Sequence, residues 1–189
     1  MTTMYRIKQP APTLDNADGE ARPLLENAQN ALGFVPEMYR HMAKAPGLLN
    51  TYMHGYEQFR ENSSLEPAEQ EVVFLTISRE NGCGYCMGAH SMLADKVSDV
   101  PADTLKALRE GGDIPDERLA ALSRFTRVMF QSRGRPGKDD AKAFMDAGFE
   151  ETDIMDIILA LAVKTLSNYS NHINQPELDQ AFSGHKWEN

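Results

Sequence analysis

The sequence predicts an all-α protein built from two repeated helical units, and three observations carry that prediction. No segment alternates apolar and polar residues with period two, as a half-buried strand would. Apolar residues instead recur at helical spacing, between prolines that open helices and glycines that close them. Finally, an offset of 82 positions lays the second half of the chain on the first. It places Asp153 on Glu71, Thr165 on Cys83, Asn168 on Cys86 and His172 on His90, with Ile154, Ile157 and Leu159 on Val72, Leu75 and Ile77. Two amphipathic helices agree by chance in their apolar positions; agreement in an acid and a histidine as well is less common.

The first 18 residues, with Pro10, Pro12, Asn16 and Asp18, are rich in breakers and are expected to wrap an outer surface. A helix from Glu20 to Leu32 stops at Gly33, and Pro36 starts the next, bearing Met38, His41 and Met42. After Pro46-Gly47 a longer helix carries Leu48, Leu49, Tyr52, Tyr56 and Phe59, ending at ENSS. Pro67 opens a further helix whose run Val72-Val73-Phe74-Leu75 with Ile77 is apolar enough to be buried. Gly82 breaks it just before a helix that reaches about Lys96. Pro101 opens a short helix that stops at Gly111-Gly112, and residues 113–116 form a loop. Leu119, Leu122, Phe125, Val128 and Met129 make the stripe of the next helix, followed by the loop SRGRPGK. A short helix is predicted from Ala141 to Met145, and the last begins near Glu151. At 189 residues this reads as one domain. Its parts are a wrapping segment and first helix (1–32), a first repeat (33–100), a second (101–175) and a tail (176–189).

Charge and cysteine count narrow the function. Nineteen Lys and Arg against 28 Asp and Glu give a net charge of −9, which argues against nucleic acid and anionic membranes as partners. No apolar run approaches a membrane span, and MTTMYRIKQPAPTLDNADGE lacks the apolar core of a secretory signal, so the cytoplasm is the expected location. Two cysteines cannot make a disulfide scaffold; an intracellular CxxC is more often redox-active or metal-binding.

Those two cysteines lie in EVVFLTISRENGCGYCMGAH, residues 71–90. Cys83 and Cys86 open the helix after Gly82, where unpaired N–H groups and the helix dipole favour a thiolate. His90 lies four residues after Cys86 and so shares its face, placed to act as general base. Glu71, from the preceding helix, is the candidate to orient the imidazole. Zinc usually takes four ligands, yet there is no third cysteine, and His41, His54, His172 and His185 are scattered. No metal and no cofactor is expected. Tyr85, between the thiols, either packs or hydrogen-bonds a peroxide oxygen. Asn168, Tyr169 and His172 form a polar cluster in an apolar helix, lining either a pocket or a buried interface. What Trp187 packs against, in its polar tail, the sequence leaves open.

Glu71, twelve residues on Cys83-x-x-Cys86, and then His90, within SxxNGCxYCxxAH, resemble the AhpD-like alkylhydroperoxidases of the carboxymuconolactone decarboxylase superfamily, in its peroxidase-related branch. The resemblance spans about residues 33–182 and departs at Tyr85, where some members carry histidine. It implies an AhpD-like helical domain, a homo-oligomer, and a cofactor-free peroxidase. Glu71 and His90 would deprotonate Cys86, the thiolate would attack a hydroperoxide, and Cys83 would close a disulfide. An external dithiol, thioredoxin-like or lipoyl, would then reduce it. The order of attack has two readings. The first cysteine of a CxxC is usually nearer the dipole and more exposed, which favours Cys83 toward a protein disulfide; the His90 spacing favours Cys86 toward peroxide and is given more weight. A protein thiol–disulfide reductase, a lactone decarboxylase in which the CxxC is dispensable, and a non-catalytic redox sensor are the other classes open.

Overall fold

The computed structural model describes residues 4–188. Among them are nine α-helices and no strand: α1 (Ala21–Leu32), α2 (Glu37–Met42), α3 (Pro46–Asn62), α4 (Pro67–Glu80), α5 (Gly84–Lys96), α6 (Ala102–Glu110), α7 (Glu117–Ser132), α8 (Lys138–Asp146) and α9 (Glu151–Asn174), followed by a 3₁₀ segment, Gln180–His185. The predicted all-α class is what the chain adopts, with most helix ends at the expected prolines and glycines. Two starts differ. α3 takes in Pro46 and Gly47 instead of beginning after them. α8 starts at Lys138 rather than Ala141, because the polar KDD reads as loop by hydropathy but supplies the acidic first turn that a helix N-terminus favours. Asp140 Oδ2 accepts from the Gly137 N–H at 3.0 Å and fixes that start.

The architecture is set by α4. Its residues 69–78 are all buried, so it is apolar nearly all round and lies at the centre, packed against α5, α6, α7 and α9. Pro67 occupies the first turn, and Glu69 reaches back to the Glu66 N–H at 3.0 Å, closing a capping box. The other end places the two cysteines. Gly82 adopts φ +64°, its N–H bonds Arg79 O at 2.9 Å, and the Cys83 N–H bonds Ser78 O at 2.9 Å. These are the two bonds of a Schellman motif. The residue that completes it, Cys83, is at once the N-cap of α5. The chain therefore reverses within a few residues and delivers both cysteines to the start of the returning helix.

A Cβ on Gly82 would meet nothing within 4 Å, so only the left-handed backbone penalises a side chain there. Gly82→Ala should cost about 1–2 kcal/mol, or roughly 2–8 °C in Tm at about 2–4 °C per kcal/mol for a chain of this size. Thermal denaturation followed by circular dichroism checks this; an unchanged Tm would mean that the motif contributes nothing.

Both ends of the chain lie on the helices. The Ile7 N–H bonds Ile173 O at 2.9 Å, Arg6 Nε bonds Asn174 O at 3.1 Å, and Arg40 Nε bonds Pro12 O at 3.1 Å, so the first segment wraps α9 and α2 as expected. Met1–Thr3 fall outside the described residues. The C-terminal segment is more ordered than the word tail suggests. Phe182 is buried, Leu178 occupies the space that Gly88 leaves on α5, and Arg109 gathers the strand of chain by donating to His185 O at 3.0 Å and Lys186 O at 2.9 Å. Trp187 docks on its own chain: its Nε1–H donates to Arg109 O at 2.8 Å.

The 82-residue offset superimposes α9 on the α4–α5 pair, but α9 is a single unbroken helix. Asp153 and His172 are nineteen residues apart along it, about 28 Å at 1.5 Å per residue. They cannot meet, whereas Glu71 and His90, equally far apart in sequence, are folded together by the break at Gly82. Asp153 instead caps α9, accepting from the Glu150 N–H at 2.7 Å and from the Ser64 hydroxyl.

Candidate active site

Cys83 and Cys86 are both reduced and both almost fully buried. Cys83 is the N-cap of α5, and Cys86, three residues on, is in its first turn. His90 follows one turn later on the same face. Its Nδ1 lies 2.8 Å from Glu71 Oε2, with both side chains buried. The other carboxylate oxygen, Oε1, pairs with Arg60 of α3. Arg60 also donates to Tyr56 Oη at 2.9 Å and Gln70 Oε1 at 3.1 Å, and its guanidinium lies 4.9 Å from the centre of the Phe74 ring. Phe74 in turn packs against His90, ring centres 4.8 Å apart. Burial pushes the Glu71 carboxyl up, but His90 and Arg60 outweigh it and hold the group below its ordinary range. Glu71 is thus an anion with both oxygens committed.

Burial, and then the Lys164 ammonium, lower His90 from its ordinary pKa, against the pull of Glu71. The imidazole is therefore neutral near pH 7, with the proton on Nδ1 directed at the carboxylate and the lone pair on Nε2 left for a proton transfer. This tautomer follows from the Glu71 contact.

The sulfurs are surrounded from α9. Asn171 Nδ2 lies 3.3 Å from Cys86 Sγ and 3.7 Å from Cys83 Sγ, and Ser167 Oγ lies 3.9 Å from Cys86 Sγ. Burial acts to raise Cys86, yet the Cys83 S–H, Lys164 and His90 together bring it well below the ordinary thiol range. Cys83, hydrogen-bonded to Cys86 and buried, is pushed the opposite way. The pair therefore holds one proton, on Cys83, and Cys86 is the thiolate. Reduced protein should show the ultraviolet absorbance of one thiolate at neutral pH. The second should appear only well above the ordinary thiol pKa of about 8.5. Two thiols titrating together near that value would contradict the assignment.

The four residues expected to carry the chemistry, Glu71, Cys83, Cys86 and His90, converge. The three candidate pocket residues hold partners of their own. The Tyr85 hydroxyl is engaged by Asp179 and lies 3.4 Å from the Met38 N–H, and burial and Asp179 push its ionisation well up. It ties the C-terminal segment to α5. Asn168 Oδ1 accepts from Asn81 Nδ2 at 2.9 Å and clamps the break between α4 and α5. His172 packs 6.3 Å from Tyr169, whose side chain is exposed. Arg60, Lys164, Ser167 and Asn171 were missed by the sequence reading. The one signal for Lys164 was a lone charge inside the apolar run IILALAV-K-TLS; Arg60 and Asn171 gave none, since which face of α3 or α9 meets the thiols depends on packing. Among the described residues no three His, Cys, Asp or Glu side chains are grouped to hold a metal ion, and no helix is long and apolar enough to cross a membrane.

A bundle of helices wound around a buried α4, with a CxxC opening the next helix beside a buried acid–histidine pair, is an AhpD-like helical fold. Residues 46–124, a stretch that includes Glu71, Cys83, Cys86 and His90, match the carboxymuconolactone decarboxylase family. No curated protein sequence matches the chain. Among solved structures, it is similar to an alkylhydroperoxidase AhpD core, an uncharacterized peroxidase-related protein from Ralstonia eutropha JMP134. That match has a TM-score of 0.79 and 22% identity, covering 93% of each chain. An uncharacterized peroxidase-related protein from Silicibacter sp. TM1040 matches with TM-score 0.77 and 22% identity over 97% of this chain and 99% of that one. The debrominase Bmp8, in its apo form, matches with TM-score 0.70 and 18% identity over 88% of this chain and 89% of that one. At these identities the structures establish the fold.

Proposed function

We propose that the protein is a dithiol peroxidase that reduces hydroperoxides through a Cys83–Cys86 disulfide. The family match and the fold support a peroxidase-related or decarboxylase-like enzyme. The observation that carries the finer reading is the Glu71–His90 pair, 2.8 Å apart and one helical turn from the Cys86 sulfur. A CxxC that only exchanged disulfides needs no such pair.

Cys86 enters as the thiolate, and His90 Nε2 takes up one proton from water, with the Glu71 carboxylate steadying the imidazolium. The Cys86 thiolate attacks the hydroperoxide oxygen, the O–O bond breaks, and Cys86 becomes a sulfenic acid while the alkoxide takes a proton from His90 and leaves as alcohol. The Cys83 thiol attacks the Cys86 sulfur, water departs, and the disulfide forms. An external dithiol, thioredoxin-like or lipoyl, restores both thiols by exchange. A cytoplasmic setting would keep such a donor reduced, and a homo-oligomer is the expected assembly. The test is consumption of cumene hydroperoxide, hydrogen peroxide and insulin disulfide with several dithiol donors in parallel. Turnover of a peroxide but not of insulin supports the reading; turnover of insulin alone would replace it with a protein-disulfide reductase.

A further inference from the structure

We infer that Lys164 is the counter-cation of the Cys86 thiolate, and that by stabilising the reduced dithiol it makes the Cys83–Cys86 disulfide strongly oxidising and easily reduced. The inference rests on the dithiol reading above and adds a residue to it.

Lys164 is among the largest fully buried side chains, and its Nζ has no hydrogen-bond partner among the described residues. A buried ammonium is costly unless an anion accompanies it. The carboxylate nearest the site, Glu71, is not available, since Arg60 takes one oxygen and His90 the other. Lys164, Ser167 and Asn171 lie on one face of α9 at spacings of three and four residues, and Ser167 and Asn171 both touch the Cys86 sulfur. Lys164 Nζ is 5.3 Å from the centre of the Phe74 ring, the ring that also packs on His90. The groups facing Cys86 are Cys83, His90 and Tyr85 from α5 and its cap, Tyr52 and Tyr56 from α3, and Lys164 from α9. The tyrosines are neutral, because burial raises all three. Lys164 is thus the basic side chain that α9 presents on the face whose next two turns reach the Cys86 sulfur.

Reduction of the disulfide by an external dithiol breaks the Cys83–Cys86 S–S bond and oxidises the donor to its own disulfide. Of the donor's two protons, one remains on Cys83 and one is released, leaving Cys86 as thiolate. In that state Lys164 has its anion; in the disulfide it has none. The cation therefore favours the reduced side of the couple by the difference between a paired and an unpaired buried charge. The same cation works against the burial that would otherwise raise the Cys86 thiol.

The test is the redox equilibrium of purified full-length protein in defined mixtures of reduced and oxidised dithiothreitol, read by alkylation and mass spectrometry, beside ultraviolet titration of the thiolate. Lys164→Met should move the equilibrium toward the disulfide by about tenfold or more, which is about 30 mV more reducing for a two-electron couple, and should raise the pH at which the first thiolate appears. Lys164→Gln, which keeps a polar tip, should shift both in the same direction, and Lys164→Arg should shift neither. Circular dichroism confirms that each variant is folded. An equilibrium and a thiolate titration unchanged in both neutral variants would overturn the inference while leaving the dithiol cycle standing. Failure of the wild-type protein to form the intramolecular disulfide at any ratio would overturn both.

Discussion

Cys86→Ser should consume peroxide no faster than buffer, the largest loss expected of any single substitution. A serine hydroxyl in that place is not ionised near neutral pH and is a poor nucleophile toward an O–O bond, so nothing replaces the thiolate. Cys83→Ser should fail differently. Its Cys86 still attacks, so one equivalent of peroxide is consumed, but no resolving thiol follows. The sulfenic acid should then persist and be trapped by dimedone, visible as a single adduct by mass spectrometry. The wild-type protein treated the same way should lose two hydrogens and carry no adduct. The structure sharpens this pairing of outcomes, because the lowered thiol is Cys86 and the raised one is Cys83. A dimedone adduct on Cys83 in the Cys86→Ser protein, with none on Cys86 in the Cys83→Ser protein, would reverse the order of attack and preserve the dithiol cycle. Intermolecular dimers as the main oxidation product would count against the cycle itself.

The parts of this fold that were legible in the sequence are those fixed by local chemistry. Pro67 and Pro101 open helices because a missing N–H costs nothing at a helix start, and Gly33, Gly82 and Gly111 end them. The site was half legible for a related reason. Cys86 and His90 are bound together by helical periodicity, and Gly82 announces the reversal that brings Glu71 back to them. What sequence could not show is everything that reaches the thiols through packing. Asn171 and Lys164 approach because α9 crosses α4 and α5, and Arg60 because α3 lies on α9. The acid and histidine of the second repeat illustrate the limit from the other side. Asp153 and His172 reproduce the residue types and spacing of Glu71 and His90, yet α9 lacks a glycine where α4 breaks, so the spacing yields a straight helix and no pair.

Removing the acid–histidine pair should slow peroxide turnover by about 10²–10⁴, with His90→Ala losing more than Glu71→Gln. The thiolate alone is not enough for the O–O bond to break efficiently. The departing alkoxide is strongly basic, and it must be protonated inside a site from which water is largely excluded. His90 is placed to do this because its pKa is lowered by burial and by Lys164, which makes its protonated form a readier acid than free imidazolium. Glu71 acts on it from Nδ1, fixing the ring and stabilising the transient positive charge. In Glu71→Gln a neutral amide can still accept that hydrogen bond, so orientation survives and only the charge is lost; the smaller effect follows. Arg60 would then lose its anion as well, so this variant should also be less stable than His90→Ala, a difference that denaturant unfolding reads. Neither variant should lose its disulfide chemistry toward diamide, which accepts electrons from thiols without an alkoxide to protonate. Asp153→Asn and His172→Ala, at the matching positions of the unbroken α9, should leave turnover unchanged and at most lower stability. The deciding measurement is steady-state consumption of one hydroperoxide by the four variants with a single dithiol donor in excess. Near wild-type turnover in His90→Ala would remove the proton relay from the mechanism, and the CxxC would then be read as a protein-disulfide reductase in which dipole and cation activate the thiol without acid–base help.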